Sequence, residues 1–385
     1  MKNVDICIIG GGMIGSATAL ACAKQGYSVC VIEPRMPQNF HPEQAPDLRV
    51  SALNLHSINV LKDLGAWEHI INMRCKAYHG LVCWESNDAK TEFYANDVKQ
   101  DKLGYFVENR ILQLALLNEI HTSHKKSVTV LNDCKATNID IELGVIALDT
   151  NESIAATIII AADGANSATR TTCGIGVDGW AYKQKANVFS IKLRAPMPSV
   201  TWQQFTPTGP LAFLPMHDNY ASLVWYADTS MSNRLQKMTN EQLQALIAAT
   251  FPQALNEFEL LARGGFPIVR RHAKQYYQSR LMLIGDAAHS INPLAGQGVN
   301  LGFKDISAFI VALSDGGLDK YQDVFKQYAR QRRMKNLAMM TAMDVIYAGF
   351  SNDFAPIKLL RNAGLKLANN AGALKQQALK YAMGI

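Results

Sequence analysis

The fold of this chain is decided near its beginning, by residues 4–15, which read VDICIIGGGMIG. The first six residues are apolar except for Asp5, and the run is short enough for a buried parallel strand. The glycines after it have the GxGxxG spacing: Gly10 permits a tight turn, Gly12 lets backbone approach a pyrophosphate, and Gly15 lets the next helix pack on the strand. The stretch therefore predicts a strand, a phosphate-binding turn and a helix.

The helix is predicted over residues 14–24, so that its free N–H groups, near Met13 and Ile14, face the phosphates. A second strand is predicted over residues 28–32. Glu33 follows at its tip, 23 residues after the first glycine of the turn, where a carboxylate can accept hydrogen bonds from ribose hydroxyls. These features predict a dinucleotide site without separating FAD from NAD. The alternative, a glycine-rich turn that binds nothing, is disfavoured by the combination of strand, helix and acid.

Two later strands also end next to an acidic residue. The apolar residues 158–162 lead into Asp163, which precedes a glycine, and the apolar residues 281–284 lead into a glycine followed by Asp286. An acid and a glycine at a strand end can also form a plain turn. At its strand tip, Asp286 is placed to bind hydroxyls on the ribityl or pyrophosphate side of a dinucleotide.

A second glycine-rich turn contains Gly296 and Gly298 and opens a helix predicted to end near residue 313, with Val299 and Asn300 in its first turn. A reduced flavin carries negative charge near N1 and the C2 carbonyl, which N–H groups at a helix end can stabilise. This turn therefore favours FAD over a nicotinamide cofactor as the bound dinucleotide.

The three motifs in this order resemble the flavin monooxygenase family typified by para-hydroxybenzoate hydroxylase. The resemblance implies that Asp286 holds the ribityl chain, that Asp163 serves both FAD and the nicotinamide cofactor, and that Arg49 and Arg110 lie near the FAD. The alternative for the two arginines is a surface or salt-bridge role. The chain has only one Rossmann turn, which argues against a separate NAD(P)H domain, so NAD(P)H is expected as the electron donor by resemblance alone.

Longer strings are similar to ubiquinone-biosynthesis flavin hydroxylases along essentially the whole chain. The resemblance implies FAD-dependent hydroxylation of demethoxyubiquinol to demethylubiquinol through a C4a-hydroperoxyflavin, with O2 as co-substrate and a polyprenylated quinol as substrate. An electron-rich quinol attacks the activated oxygen itself, so neither a metal nor a protein nucleophile is expected. The strings are MRC at 73–75, TWQQFTP at 201–207, ASLVWY at 221–226, RRHA at 270–273, YAGFSN at 347–352 and QALKYA at 377–382.

Three alternatives to this reaction stay open: hydroxylation of another ring position in the same pathway, a flavin-dependent lipid reductase, and a flavin-bearing scaffold. No residue is assigned as the catalytic base. His217 and Tyr220, near a turn, carry suitable groups, although turn or sheet-edge roles are the more frequent ones. His272 and His289 are interpreted as structural residues.

The expected fold class is α/β, with a discontinuous Rossmann-type FAD-binding domain, an inserted antiparallel-sheet substrate domain and C-terminal helices. The 385 residues exceed one domain of roughly 150 residues. Alternating and aromatic runs at 188–193, 202–205 and 222–226 predict the inserted sheet. We expect the FAD domain at 1–75, 100–178 and 265–330, the substrate domain at 76–99 and 179–264, and the helical segment at 331–385.

The net charge of +6 is concentrated at the end of the chain, because residues 330–385 contain nine Lys and Arg against two acidic residues and leave −1 for the rest. One interpretation is helices packed on the flavin domain with solvated charges. The other is peripheral contact with an anionic membrane, or with ubiquinone-biosynthesis proteins that deliver the lipid. Nucleic acid is disfavoured as a partner because no recognised motif accompanies the charge.

The seven cysteines contain no CxxC pair, which argues against a disulfide framework or a zinc site. The first 25 residues imitate a signal peptide, but a nucleotide-binding turn explains their glycines better. No segment offers about 20 uninterrupted apolar residues for a spanning helix. We therefore expect a cytoplasmic protein, with a peripheral position at the inner face of the cytoplasmic membrane as the associated hypothesis.

Overall fold

The architecture was analysed in a computed structural model that describes residues 1–86, 89–196, 198–252, 255, 257–351 and 355–385. The strands, in chain order, are β1 (Lys2–Ile9), β2 (Val29–Glu33), β3 (Val50–Asn54), β4 (Lys76–Tyr78), β5 (Gly80–Trp84), β6 (Lys90–Tyr94), β7 (Gly104–Glu108), β8 (Val128–Asn132), β9 (Ala136–Asp140), β10 (Val145–Leu148), β11 (Ser153–Ala161), β12 (Val177–Leu193), β13 (Val200–Thr206), β14 (Gly209–Pro215), β15 (Tyr220–Asp228), β16 (Phe258–Ala273), β17 (Tyr277–Gln278), β18 (Leu281–Leu283) and β19 (His289–Ser290). The α-helices are α1 (Met13–Lys24), α2 (Leu55–Asp63), α3 (Trp67–Met73), α4 (Asn109–Ser123), α5 (Ala168–Thr172), α6 (Thr229–Lys237), α7 (Asn240–Thr250), α8 (Gly298–Gly316), α9 (Tyr321–Phe350), α10 (Ala355–Asn369) and α11 (Ala373–Met383).

The first sheet has the strand order β17-β18-β11-β1-β2-β8, in which β18, β11, β1, β2 and β8 are parallel to one another, while β17 and the β9–β10 hairpin pair antiparallel to β18 and β11. Their apolar residues are buried, as in a parallel sheet covered by helices on both faces. Helix α1 packs against both α4 and α8. The strands predicted from the apolar runs correspond to β1, β2, β11 and β18, so this part of the predicted α/β fold is confirmed.

The parallel arrangement brings the predicted motifs together at one edge of this sheet. Gly10 follows β1, Asp163 follows β11, and Asp286 follows β18. The Ala162 N–H donates to the Ile9 carbonyl at 2.8 Å, which keeps the ends of β1 and β11 in register. Carboxyl ends of parallel strands are where ligands bind in such sheets, so the topology itself places the three motifs around one site.

The second sheet has the order β19-β16-β12-β15-β14-β13-β5-β6 and is antiparallel except for the parallel pair β13 and β5. The exception arises because β5 comes from a much earlier part of the chain and is not joined to β13 by a hairpin. Strands β12 and β16 run continuously through residues 178–179 and 264–265, where we place domain boundaries. The two proposed domains are therefore joined by shared strands.

The two faces of the second sheet are covered differently. Helices α6 and α7 cover one face, where Phe189 and Ile191 of β12 join a buried cluster with Leu223 and Trp225 of β15. On the other face, part of the sheet packs against methionines of α9, including Met340. The third sheet, β3-β7-β4, is small, and its strand β3 contacts α8.

The C-terminal helices pack on three different parts of the molecule. Helix α9 packs along α8, α10 lies on the edge strand β6, and α11 contacts the short turn at Ala95–Val98. The hydroxyl of Thr91 in β6 donates to the Leu365 carbonyl at 2.7 Å, and the Glu92 N–H donates to Asn369 Oδ1 at 3.1 Å. Helix α10 thus lies on the second sheet, where it covers backbone groups that an edge strand leaves unpaired.

Two further expectations concern the string at 347–352 and a membrane-spanning helix. Asn352, the last residue of the 347–352 string, lies outside the described residues. None of the described helices is both long and apolar enough to cross a membrane.

Candidate functional site

In the turn after β1, two glycines have no room for a β-carbon, and a third has free space beside it. Gly10 has φ +104°, and a β-carbon there would meet the Ala162 carbonyl oxygen at 2.6 Å. A β-carbon on Gly15 would lie 1.8 Å from the Gly10 carbonyl oxygen, whereas nothing lies within 4 Å of one on Gly12. The backbone is therefore tightly packed on the protein side and leaves space beside Gly12, where the sequence predicts a pyrophosphate.

Helix α1 begins beside that space with an electropositive end. Its N-cap is Gly12, no side chain caps it, and its first turn holds no acidic residue, so the partial positive charge of the helix end is available to an anion. Met13 and Ile14 form the first turn. The Ile14 side chain packs where β-carbons on Gly285 and Gly302 would need to be, at 3.2 and 2.6 Å. Ile14 thereby fixes this turn against the turn that carries Asp286.

Glu33 stands at the end of β2 and is tied to the same turn. Its Oε2 accepts from the Gly11 N–H at 2.7 Å, and its Oε1 accepts from the Arg35 N–H at 2.9 Å. Each carboxylate oxygen can accept a second hydrogen bond. The geometry leaves Glu33 able to receive ribose hydroxyls while it stiffens the glycine turn.

Asp163 has one carboxylate oxygen that the protein does not use. Its Oδ2 accepts from the Thr169 N–H at 3.0 Å, while its Oδ1 is buried with no hydrogen-bond partner. A buried acceptor left without a donor is costly, so it indicates a ligand or solvent donor at this place. Arg170 links the turn to its neighbour by donating to the Ala287 carbonyl at 2.8 Å. The residues present thus fit a hydroxyl-rich cofactor such as FAD.

Asp286 is exposed, while Gly285 and Ala287 on either side of it in the turn are buried. Burial among these groups raises the pKa of Asp286 above the usual value, while His289 and Arg49 act in the lowering direction. We call the region at this sheet edge, between the turns that carry Gly12, Asp163 and Asp286, the candidate FAD cleft. Arg49 is itself exposed, and its charge acts on Asp286 in the direction that lowers the pKa; its contact with FAD stays a prediction.

The second glycine turn brings another helix end to the cleft. Helix α8 begins at Gly298 with no side-chain cap and no acidic residue in its first turn, and a β-carbon on Gly296 would lie 3.1 Å from that of Ala52. The half-buried Val299 packs against the core of the parallel sheet. The N–H groups at this end are therefore available to a developing negative charge.

Asn300 has its side chain fully occupied within the protein. Its Nδ2 donates to the carbonyls of Ala52 at 2.8 Å and Gly296 at 3.1 Å, and its Oδ1 accepts from the Asn54 N–H at 3.1 Å and the Ser57 hydroxyl at 2.7 Å. An asparagine amide can make no more than these four bonds in ordinary geometry. Asn300 therefore holds the glycine turn onto β3, and its side chain is not directed to a ligand.

Arg110 forms a salt bridge. Its Nε and Nη2 donate to the two carboxylate oxygens of Asp47 at 2.8 and 3.0 Å, and this hydrogen bonding raises the pKa of Arg110. Behind it, the buried Arg74 donates to Glu108 at 2.7 Å and to the Gln44 carbonyl at 2.7 Å. Arg74 lies in the MRC string at 73–75, for which no residue role was predicted. Its role in the structure is to hold the segment that leads to Arg49.

A buried polar network lies directly behind the turn that carries Asp286, and sequence reasoning missed it. Asp305 of α8 accepts from the Gly285 N–H at 3.2 Å, from His289 at 2.5 Å, from Arg332 Nε at 2.7 Å and from Asn336 at 3.1 Å. Burial alone would raise the pKa of Asp305, but His289 and Arg332 outweigh it and hold the pKa below the usual value. The only sequence signal was a charged residue inside an apolar helix.

The network also corrects one expectation about the basic segment. Arg332 belongs to the run that we expected to be solvated, but its side chain is 7% exposed and pairs with Asp305. His272 and His289 are both buried. Burial is the main cause that lowers the pKa of His272, to about 4, so its ring is neutral at neutral pH. These contacts match the structural interpretation of both histidines.

The two candidate bases lie at the end of the second sheet. His217 and Tyr220 face each other with ring centroids 5.1 Å apart. Burial is the main cause that lowers the pKa of His217, with Arg74 acting in the same direction, and its Nδ1 is buried without a hydrogen-bond partner. The half-buried ring is thus held in its neutral form, which is the form able to accept a proton.

With this geometry established, the chain was compared with known proteins. Residues 3–341 match the family described as FAD binding domain. The chain is 45% identical over 388 residues to 3-demethoxyubiquinol 3-hydroxylase of Escherichia coli (strain K12), covering 100% of this chain and 99% of the relative. The mitochondrial ubiquinone biosynthesis monooxygenase COQ6 of Danio rerio is 32% identical over 437 residues, covering 98% of this chain and 89% of the relative.

The chain belongs to the FAD-dependent ubiquinone-biosynthesis hydroxylases. It is therefore an FAD-dependent monooxygenase, as the motif order and the longer strings predicted. The p-nitrophenol 4-monooxygenase of Pseudomonas putida DLL-E4 has the same fold, with a TM-score of 0.81 at 18% identity, covering 100% of this chain and 97% of that one. The predicted fold class of this hydroxylase is thereby confirmed.

Proposed function

We propose that this chain hydroxylates the ring of demethoxyubiquinol to give demethylubiquinol. The observation that carries the proposal is the 45% identity to the Escherichia coli 3-demethoxyubiquinol 3-hydroxylase over 100% of this chain and 99% of that relative. A match of that extent leaves no domain of either protein without a counterpart. The cleft lined by Asp163, Asp286 and two uncapped helix ends supports FAD as the cofactor of this reaction.

FAD held in this site would supply the redox chemistry by which two electrons from NAD(P)H and one O2 give one oxygen atom to the quinol ring and the other to water. The residues of this chain bind and orient. The turn at Gly10, Gly12, Met13, Ile14 and Gly15 would hold the pyrophosphate with backbone N–H groups. The acids would receive hydroxyl groups of the cofactor.

We assign the remaining cofactor contacts from the same geometry. Glu33 would receive ribose hydroxyls, and Asp286 those of the ribityl chain, with Arg49 supplying positive charge beside it. The end of α8, at Gly298 and Val299, would face the flavin ring. Arg110 and Asn300 would act by holding the segments that carry these groups, because their side chains are bonded within the protein.

The division into a FAD domain at 1–75, 100–178 and 265–330, a substrate domain at 76–99 and 179–264, and a helical segment at 331–385 stays a proposal. It assigns the second sheet to the substrate. A sheet packed over the flavin would keep water from the reacting oxygen, which otherwise leaves as hydrogen peroxide.

The test of the function is mass spectrometry of the quinone pool in cells that lack this protein, with rescue by wild type or by Asp286→Ala. We expect demethoxyubiquinone to accumulate and only wild type to restore the normal pool, because Asp286→Ala removes an acceptor for the cofactor. Asp315→Asn, at an exposed acid near the end of α8, serves as the matched control and should rescue. A normal quinone pool without the protein would contradict the proposal.

A second candidate is hydroxylation of another ring position in the same pathway. The similarity to COQ6 of Danio rerio, a ubiquinone biosynthesis monooxygenase 32% identical over 98% of this chain, is the observation behind it, because that name specifies the pathway and not the ring position. The same experiment separates the two candidates, since the mass of the accumulating quinone shows which ring oxygen is missing.

We also propose that the C-terminal helices contact an anionic membrane peripherally. Residues 355–385 contain five Lys and Arg and no acidic residue, and Leu367 and Leu374 are each 72% exposed. Exposed apolar residues among cations are typical of interfacial helices. A surface for a protein that delivers the polyprenylated quinol is the alternative occupant.

Binding to anionic liposomes tests this proposal. The variant Leu367→Glu/Leu374→Glu is expected to lower cosedimentation at least about fivefold, because each change removes apolar area and adds repulsion near the lipid. Leu143→Glu is the matched control, since Leu143 is also 72% exposed but lies in the β9–β10 turn. Equal loss in both variants, or no binding by wild type, would contradict membrane contact. Capture of pathway proteins instead would support the protein alternative.

A further inference from the structure

The second sheet carries two serines at matching positions on neighbouring strands. Ser190 of β12 is paired with Ser222 of β15 in the antiparallel register. The residues beside them in sequence, Phe189 and Leu223, belong to the cluster under α6 and α7. Because successive side chains of a strand alternate between faces, both serine side chains lie on the opposite face, away from α6 and α7.

Both hydroxyl groups are buried without a hydrogen-bond partner in the protein. Ser190 is 2% exposed and Ser222 3% exposed, and neither Oγ has a partner. Serines in strands normally satisfy their hydroxyls, and an unsatisfied buried group calls for an explanation. Elsewhere in the same sheet, Thr201 donates to the Phe213 carbonyl at 2.6 Å. The two serines lack such a partner, as does Nε1 of Trp202 in β13.

The surroundings of the pair connect it with the FAD cleft. On the same face, Gly264 is paired with Val188, two residues from Ser190 along β12. A methyl carbon of Leu48 lies 2.9 Å from where a β-carbon of Gly264 would be. Leu48 directly precedes Arg49, whose charge acts on the exposed Asp286 in the turn after β18. The segment that borders the cofactor therefore also borders this face of the sheet.

The residues paired with the two serines on their outer sides are small or apolar, and a polar residue lies farther along the chain. Ser190 is paired with Ala262, and Ser222 with Leu214. Beyond Leu214 the chain reaches His217, whose Nδ1 is a third buried atom without a partner. A flat ring that carries oxygen substituents has the complementary chemistry, because apolar side chains suit its faces and hydroxyl groups suit its oxygens.

We propose that Ser190 and Ser222 bind oxygen substituents of the aromatic substrate and so determine which ring position is hydroxylated. This inference rests on the proposed function, because it takes the quinol as the ligand. The two hydroxyls are donor and acceptor groups, so they can serve both a ring hydroxyl and a methoxy oxygen. Discrimination follows because a substrate that lacks one of these oxygens leaves a buried hydroxyl unsatisfied.

The test uses Ser190→Ala, Ser222→Ala and the double variant of the full chain with FAD. For each single variant we expect kcat/KM for a short-chain demethoxyubiquinol analogue to fall about tenfold, with more hydrogen peroxide per NAD(P)H oxidised. The FAD content and the melting temperature should be unchanged or higher, because the deleted hydroxyl has no partner in the protein. With an analogue that lacks one ring oxygen, one of the two variants should lose no further activity.

Ser232→Ala is the matched control. Ser232 is also buried, but it lies on α6 and is hydrogen bonded to Asn187 at 3.0 Å and to the Ala227 carbonyl at 3.3 Å. This variant should melt at a lower temperature with normal coupling of NAD(P)H oxidation to product.

The outcomes distinguish a failure of the proposed function from a failure of the role inferred for Ser190 and Ser222. If wild type does not convert the demethoxyubiquinol analogue, the proposed function itself fails. If wild type converts it and the Ser190 and Ser222 variants do so equally well, only the present inference is overturned. A loss of activity that follows a lower melting temperature, as in a structural role, also overturns it.

Discussion

The substitution Gly15→Ala is expected to remove FAD from the protein almost completely. A β-carbon at this position would lie 1.8 Å from the Gly10 carbonyl oxygen, which is backbone and cannot rotate away. Helix α1 must then move off β1, and the turn that would hold the pyrophosphate opens. We expect FAD affinity to fall more than about a hundredfold and the apoprotein to lose roughly 1–3 kcal/mol from overpacking. Flavin absorbance per protein and thermal unfolding of the apoprotein measure the two effects.

Two other glycines provide controls for this result. Gly364→Ala is the same change inside α10, where nothing lies within 4 Å, and it should leave FAD binding intact and slightly stabilise the helix. Gly12→Ala also meets no protein atom within 4 Å, so the apoprotein should stay stable while the added methyl group weakens FAD binding. Full FAD content in Gly15→Ala would refute the assignment of this turn.

The sequence predicted those parts of the site that depend on local spacing. A short apolar strand, a glycine turn and a helix are neighbours in the chain, so GxGxxG reports them directly. Asp163 and Asp286 could be predicted equally well. Each closely follows its own buried strand, and parallel strands bring their ends to one edge. The α/β fold class followed from the same alternation of elements.

Other features could not be predicted because they depend on contacts between distant segments. Nothing in the spacing of Asp305 and Arg332 indicates that α8 and α9 pair them inside the core. The same holds for Asn300. It follows the second glycine turn in sequence, but its side chain is hydrogen bonded to the backbone of β3. The unsatisfied hydroxyls of Ser190 and Ser222 depend on which strands are neighbours, and that is decided by the whole sheet.

The second large effect is expected for Asp305→Asn, which removes the charge at the centre of the buried network. The carboxylate is fully buried and pairs with Arg332, which is 7% exposed. The variant leaves this guanidinium without a counter-charge and sets an amide N–H₂ group against donors. Breaking a buried pair in this way costs about 3–5 kcal/mol, which for a chain of 385 residues corresponds to a melting temperature lower by about 4–6 °C. Thermal unfolding of the apoprotein measures it.

FAD binding should weaken in the same variant, although Asp305 is not expected to touch the cofactor. Its Oδ2 accepts from the Gly285 N–H at 3.2 Å, and Gly285 immediately precedes Asp286. Asp315→Asn is the control, because Asp315 is exposed near the end of the same helix, and it should change stability by no more than about 0.5 kcal/mol. A stable Asp305→Asn variant with full FAD content would show that the network does not support the turn.

The pH dependence of stability gives an independent check on the charge of Asp305. Because its folded pKa is lowered, the unfolded chain binds a proton at higher pH than the folded protein does. The stabilisation is therefore complete above the ordinary pKa of an aspartate, about 3.9, and is lost as the pH falls through the lowered folded pKa. Asp305→Asn lacks this contribution at every pH. The difference in melting temperature between wild type and variant should therefore be largest near neutral pH and shrink in acid. A constant difference down to acidic pH would mean that lost packing, and not the lost charge, accounts for the destabilisation.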